Sequence, residues 1–221
     1  MTITYVQQMA SQVGLNAGAN NLTPGYAVSK GDVLVLSSNT PVSGGAIGTF
    51  TVSDTTNGSW TLLQNQYDST NGQGVYQWFV QMTAAVGSPG PSITVNCQNS
   101  PNDYCQVSRF NGFLGTATKD PNSNANVYGS SASAASLVVT TATNFPNEIL
   151  LLVIKASSFL STDPPTGWSG ITSATQYYQV LSTAGSANIS DSFSSPPALY
   201  DVIVNGIYDV TGGGATIAWI T

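Results

Sequence analysis

Two cysteines, ten carboxylates and a scatter of loop aromatics are the side chains of this 221-residue chain able to do chemistry, and histidine is absent. Without imidazole there is no Ser-His-Asp or Cys-His catalysis, no His-ligated metal and no histidine pH switch. Cys97 and Cys105 make the sharpest local pair, separated by the turn sequence Asn99-Ser100-Pro101-Asn102-Asp103 and its flanks. If Ile93–Cys97 and Cys105–Phe110 are hairpin partners, both sulfurs lie on facing strand ends, on the side of Ile93, Val95 and Val107. Two states stay open for them. A disulfide across this loop would add about 2–3 kcal/mol if unstrained; reduced thiols packed side by side suit a reducing compartment. With no third ligand nearby, zinc or catalytic chemistry is not expected of this pair.

The carboxylates point to turns rather than to a reaction centre. Asp54-Thr55-Thr56-Asn57-Gly58 opens like a calcium loop, but it is one residue short and no glutamate follows at the required distance. A turn capped by side-chain oxygens is the expected structure. A glycosidase needs two carboxylates facing across a cleft, one with a raised pKa. Here Asp32, Asp68, Asp120, Asp163 and Asp191 stand beside Gly, Pro or Ser, where Asp serves local hydrogen bonding. Gly212-Gly213-Gly214 lacks the lysine of a phosphate loop. No cofactor and no metal are expected, and a hydrolase is kept only as a third reading. Tyr26, Tyr67, Tyr128, Tyr177, Tyr178 and Tyr200, with Trp168, fall in or near loops, where they can anchor an interface or stack on a sugar; packing in a core is the competing role.

The elements that must carry these residues read as strands. Charged residues are 6% of the chain against about 25% in an ordinary soluble domain, and the net charge is −6. Four cations are too few to track phosphates, so no nucleic-acid partner is expected. At 41% apolar the chain is no disordered polymer, and its longest aliphatic run, Ile149–Ile154, is too short for a membrane span. The N-terminal segment has neither a basic nor an apolar leader region, which predicts synthesis and retention in a cytoplasm. Val, Ile, Thr, Tyr and Phe recur in short runs broken by Gly, Pro and Asn, with no long amphipathic helical period. Strands are predicted at 33–37, 49–52, 60–64, 75–82, 93–97, 105–110, 137–141, 148–155, 174–181, 200–204, 207–210 and 216–220.

In the 75–82 strand, Tyr76, Trp78, Val80 and Met82 share one face; Gln77 and Gln81 lie opposite with Val75 and Phe79. Asn-Gly pairs at Asn57, Asn71, Asn111 and Asn205 supply turn chemistry, and Asn205-Gly206 predicts a hairpin setting Val204 against Ile207. Residues 116–135 and 157–167 read as loop-rich insertions in a single domain, 1–221. A two-fold echo links Gly31-Asp32-Val33-Leu34-Val35-Leu36 and Gly58-Ser59-Trp60 to Asn147-Glu148-Ile149-Leu150-Leu151-Leu152 and Gly167-Trp168, with closing strands at 93–97 and 216–220. It predicts one antiparallel β-sandwich, jelly-roll-like and all-β, built from two similar strand sets. Because Ile149–Ile154 is apolar on both faces, its outer side should be covered by a long loop or by another subunit.

The order Gly31-Asp32-Val33-Leu34-Val35, then Asp54-Thr55-Thr56-Asn57-Gly58-Ser59-Trp60, the aromatic pair Tyr76 and Trp78, Ala84-Ala85-Val86-Gly87, Ile93-Thr94-Val95 and Thr216-Ile217-Ala218-Trp219 resembles a jelly-roll-type β-sandwich module of phage virion and bacterial surface proteins. The turn departs from the module's pattern in having Asn-Gly for Gly-Asn, and a cysteine segment replaces an aliphatic one. The resemblance implies no catalytic residues. It implies a virion structural protein, foremost a capsid decoration or cement protein bound to the major capsid protein or other virion subunits and forming homo-oligomers. The alternative it implies is a tail-fibre or receptor-binding adhesin for a host-surface glycan.

Overall fold

The computed structural model describes residues 2–41, 50–68, 73–98, 104–129, 136–143, 145–156, 160–171, 176–194 and 200–210. The first half of the chain forms β1 (Thr4–Val13), β2 (Gly18–Leu22), β3 (Val33–Pro41), β4 (Phe50–Asp54), β5 (Gly58–Ser59), β6 (Thr61–Asp68), β7 (Gln73–Gln81), β8 (Ile93–Cys97) and β9 (Tyr104–Asn111). The second forms β10 (Ala117–Gly129), β11 (Ser136–Thr143), β12 (Glu148–Ala156), β13 (Ser169–Gly170), β14 (Gln176–Leu181), β15 (Gly185–Ser192) and β16 (Tyr200–Asp209). No helix occurs among the described residues, and the sheets are antiparallel. The expected all-β, antiparallel sandwich architecture is what the chain adopts.

It adopts it twice. One five-stranded sheet runs β1-β9-β3-β7-β6 and packs on a four-stranded sheet, β2-β8-β4-β5. The other five-stranded sheet runs β10-β16-β12-β14-β13 and packs on the pair β11-β15. The strand orders superimpose position by position, β1 on β10, β9 on β16, β3 on β12, β7 on β14 and β6 on β13. The echo in sequence marks this duplication: Trp60 precedes β6, Trp168 precedes β13, and each tryptophan is buried in the core of its own sandwich. Gly31 and Asn147, one residue before the echoing carboxylates, both have positive φ, 90° and 57°. That conformation costs glycine nothing and asparagine little.

The two five-stranded sheets stack back to back, giving four layers. Between them lie Val33, Val35, Leu63, Phe79, Phe110, Phe113, Ile149, Leu151, Ile171 and Ile207, with Val75, Val153 and Ile203 beside. This arrangement explains why β12 is apolar on both faces. Ile149, Leu151 and Val153 meet the first sandwich, while Leu150, Leu152 and Ile154 fill the core of the second. The cover over the Ile149–Ile154 run is therefore a sheet of the same chain, not a loop or another subunit. Strand β7 is buried on both sides in the predicted alternation, Tyr76 and Trp78 inward, with Met82 just after the strand, and Val75, Gln77 and Phe79 toward the second sandwich. Gln77 earns its place there by a bridge across the layers: Asn205 Nδ2 donates to its Oε1 at 2.6 Å, and its own Nε2 donates to Ser37 Oγ at 3.1 Å.

Several expectations are corrected by the fold. The hairpin at Asn205-Gly206 does not form, because β16 runs straight through it, pairing with β10 and β12 on its two sides. Asn205 is the buried interlayer donor just described, and Gly206 is needed for closeness rather than for a turn. At Gly112, after Asn111, both reasons hold: its φ is 92°, and a Cβ would meet Thr2 O at 2.4 Å. Only Asn57-Gly58, with Gly58 at φ 78°, makes the expected tight turn between β4 and β5; Asn71-Gly72 lies outside the described residues. Residues 117–129 of the presumed insertion are strand β10, whose ladder loses register between Asp120 and Asn124, around Pro121, which has no N–H to give. The counterpart of β8 is β15, not 216–220, which lies outside the described residues. Strands β1, β2 and β15 escaped the reading because their Gln, Asn and Ser side chains mask the alternation.

Candidate functional site

Two open grooves mark the described surface. One, of about 580 Å³, is lined by Lys30, Gly31, Gln81, Met82, Thr83, Phe113, Leu114 and Gly115 at one end of the stacked sheets. Its polar members are largely committed: Gln81 Nε2 donates to Gly115 O at 2.7 Å, its Oε1 accepts from Ala117 N at 3.0 Å, and Thr83 binds Asn57 Oδ1. The other, of about 620 Å³, follows the edge strand β1 from Tyr5 to Ser11 and ends on Tyr26, which is 52% exposed. Lys30 is the one charged side chain lining either groove.

The aromatics chosen from sequence scatter. Trp168 and Tyr177 belong to the core of the second sandwich, where burial and the charges of Asp163 and Asp191 raise the Tyr177 phenol far above its ordinary range. Tyr178 is half-buried between the sandwiches, stacked on Tyr5 with ring centroids 5.2 Å apart. Tyr200 packs on the second core beside Phe193, 5.6 Å between rings. Tyr67 is half-buried on the edge strand β6, and Tyr128 lies on β10 at a position whose side chain is outside the described residues. Those whose side chains are described do not converge on one surface.

The cysteine expectation rested on a hairpin that is not there. β8 pairs with β2 and β4, whereas β9 pairs with β1 and β3, so the chain between the cysteines crosses from one sheet of the first sandwich to the other. Cys97 and Cys105 are thiols buried in the same core cluster, on the side of Ile93, Val95 and Val107 as expected. Ellman's reagent should therefore leave both untouched in the native protein and label both in guanidinium without reductant. A denatured protein that yields no thiol would show a disulfide instead.

Asp54 does what the turn reading requires. Its Oδ1 accepts from Thr56 N (2.6 Å) and Asn57 N (2.7 Å), and its Oδ2 accepts from the Trp60 indole (2.7 Å). Asp209 similarly caps the chain entering β10, accepting from Leu114 N and Gly115 N. Lys119 Nζ donates to Leu63 O across the layers, and burial lowers its pKa.

The carboxylates that sequence reasoning missed as a pair are Asp120 on β10 and Glu148 on β12, both fully buried. They are the arrangement a glycosidase uses in one respect only, a neighbouring pair with one raised pKa. Desolvation pushes Glu148 up to about 8; the nearby Ser123 hydroxyl opposes this and the charge of Asp120 adds to it. No substrate can reach two groups sealed between sheets, so the pair is not a cleft for chemistry. The signal available in sequence was the chain's single glutamate opening its longest aliphatic run.

No protein-family model matches the chain, and no curated protein is detectably similar to it.

Proposed function

We propose that this chain is a non-enzymatic structural protein of a phage particle, a capsid decoration or cement protein that binds shell subunits through the outer faces and edges of its four-layer stack. The observation that supports this most is where the ionisable groups go. Asp32 and Arg109 bind one another, Asp54 and Asp209 cap turns, Lys119 ties the layers, and Asp120 and Glu148 are sealed inside. Among the described residues, what is left at the surface beside Lys30 and Asp163 is area with little charge, suited to broad protein contact rather than to turnover. The resemblance to virion sandwich modules supplies the particle.

The test is to mix the purified protein with capsids of the phage that encodes it. Micromolar or tighter binding and a higher capsid disruption temperature are expected. Absence of binding at that concentration discards the proposal. One observation favours a second reading, an adhesin for a host glycan: exposed Tyr26 stands beside Gln7 and Gln8 in the β1 groove, a stacking ring with amides. Under that reading Tyr26→Ala abolishes binding to host cells, whereas a cement protein retains capsid binding.

A further inference from the structure

The duplication allows one half of the protein to serve as a control for the other. In the first sandwich Asp32 precedes β3, and Arg109, cross-strand from Leu34 on β9, sets its Nε 2.7 Å from Asp32 Oδ2. In the second, Glu148 replaces Asp32, Leu150 replaces Leu34, and the residue cross-strand from Leu150 on β16 is Gly206. The arginine is missing. The Glu148 carboxyl instead lies over the bare Cα of Gly206, where an added Cβ would come within 1.7 Å of Oε1. Neither Glu148 oxygen has a hydrogen-bond partner of good geometry, and the nearest ionisable neighbour is another acid, Asp120. Asp120 Oδ1 accepts from Asn122 N at 2.8 Å, and its Oδ2 lies 3.0 Å from Ser123 Oγ. That hydroxyl is also 3.0 Å from Ala142 O on β11, so the pair sits where the five-stranded sheet is tied to the outer sheet.

Among the described residues Glu148 makes no ion pair. On β10 Lys119 turns to the first sandwich. On β16 Tyr208 stacks on Phe145, 3.7 Å between rings, and Asp209 faces away to cap Leu114 and Gly115. The facing strand β11 has no ionisable residue, β14 offers Leu181 cross-strand from Glu148, and Asp191 on β15 lies at the far end of the β11 ladder, opposite Leu137.

We infer that this end of the second sandwich is a proton-dependent latch: a neutral Glu148 lets β10 and β12 close on β11 beside Asp120, and loss of its proton loosens that closure. An ionised Glu148 would be a buried carboxylate beside another acid, with neither oxygen held by a hydrogen bond of good geometry, and burying such a charge is costly. The direction with pH follows. The folded protein keeps the proton to about pH 8, the unfolded chain releases it near 4.5, and so the folded state binds more protons in between. The stabilising contribution is full below pH 4.5, declines as pH rises, and is gone above about 8.

Because Glu148 is the only glutamate, cell-free synthesis with ¹³Cδ-glutamate gives one carboxyl resonance in the intact protein. Its titration midpoint is expected near 8. A midpoint near 4.5 overturns the inference, and so does a calcium-dependent shift of that resonance at pH 7, which would make the pair a cation site. Melting is the second readout: from pH 5 to 8.5 the native protein should lose about 5–10 °C, and Glu148→Gln should lose less than half of that. Equal losses in both proteins would remove the latch; should the variant not fold, the resonance alone decides.

Discussion

Gly206→Ala is expected to destabilise the protein by about 3 kcal/mol, a large loss for a substitution that adds one methyl group. The new Cβ would stand 1.7 Å from Glu148 Oε1 and 2.5 Å from Ser123 Cβ, distances no rotamer change of one side chain relieves at once. Backbone freedom is not the reason, since Gly206 does not adopt a positive φ and lies inside a continuous strand. Combining it with Glu148→Ala removes the nearer obstacle and should recover a substantial part of the loss, leaving the clash with Ser123. Urea unfolding of the three variants measures this. A loss below about 1 kcal/mol for Gly206→Ala alone would mean that the carboxyl does not lie over that Cα.

Trp168→Ala is expected to cost about 3–5 kcal/mol, because the ring fills the core of the second sandwich and its removal leaves a cavity. Trp60→Ala in the first sandwich should cost a similar amount, with the added loss of its indole bond to Asp54. Denaturant midpoints give both numbers. The outcome also bears on function: were Trp168 an anchor for an outside partner, its removal would weaken binding and leave the midpoint where it was. The matched pair is the more telling result, since a duplicated fold puts a core-filling tryptophan at both echoing positions and both losses should be of cavity size.

The strands of high β-propensity were legible in the residues. Ile93–Cys97 has the same bounds in sequence and structure, and the alternation of β7 told correctly which side chains share a face. Local chemistry was legible as well, since Asp54-Thr55-Thr56-Asn57-Gly58 carries its own turn within five residues. The duplication was visible as an echo, because two copies of one strand order must bury the same positions. What the echo did not tell was whether the two strand sets share one core or stack as two. That depends on which faces meet, and an apolar run such as Ile149–Ile154 says only that both faces are covered, never by what.

Sequence by itself determined that this protein is built of antiparallel strands, that imidazole chemistry is closed to it, and where its turns with local hydrogen-bond partners fall. These follow from residue type and short-range geometry, which act within a few positions of the chain. Tertiary structure alone decided that β16 is one strand through Asn205-Gly206, that the cysteines stand on opposite sheets, and that Glu148 is buried beside Asp120. Each of those depends on partners 28 to 128 positions away, Asp120 for Glu148 and Gln77 for Asn205. Long-range packing decides such contacts because burial rewards whichever distant face fits, and no local preference records the choice.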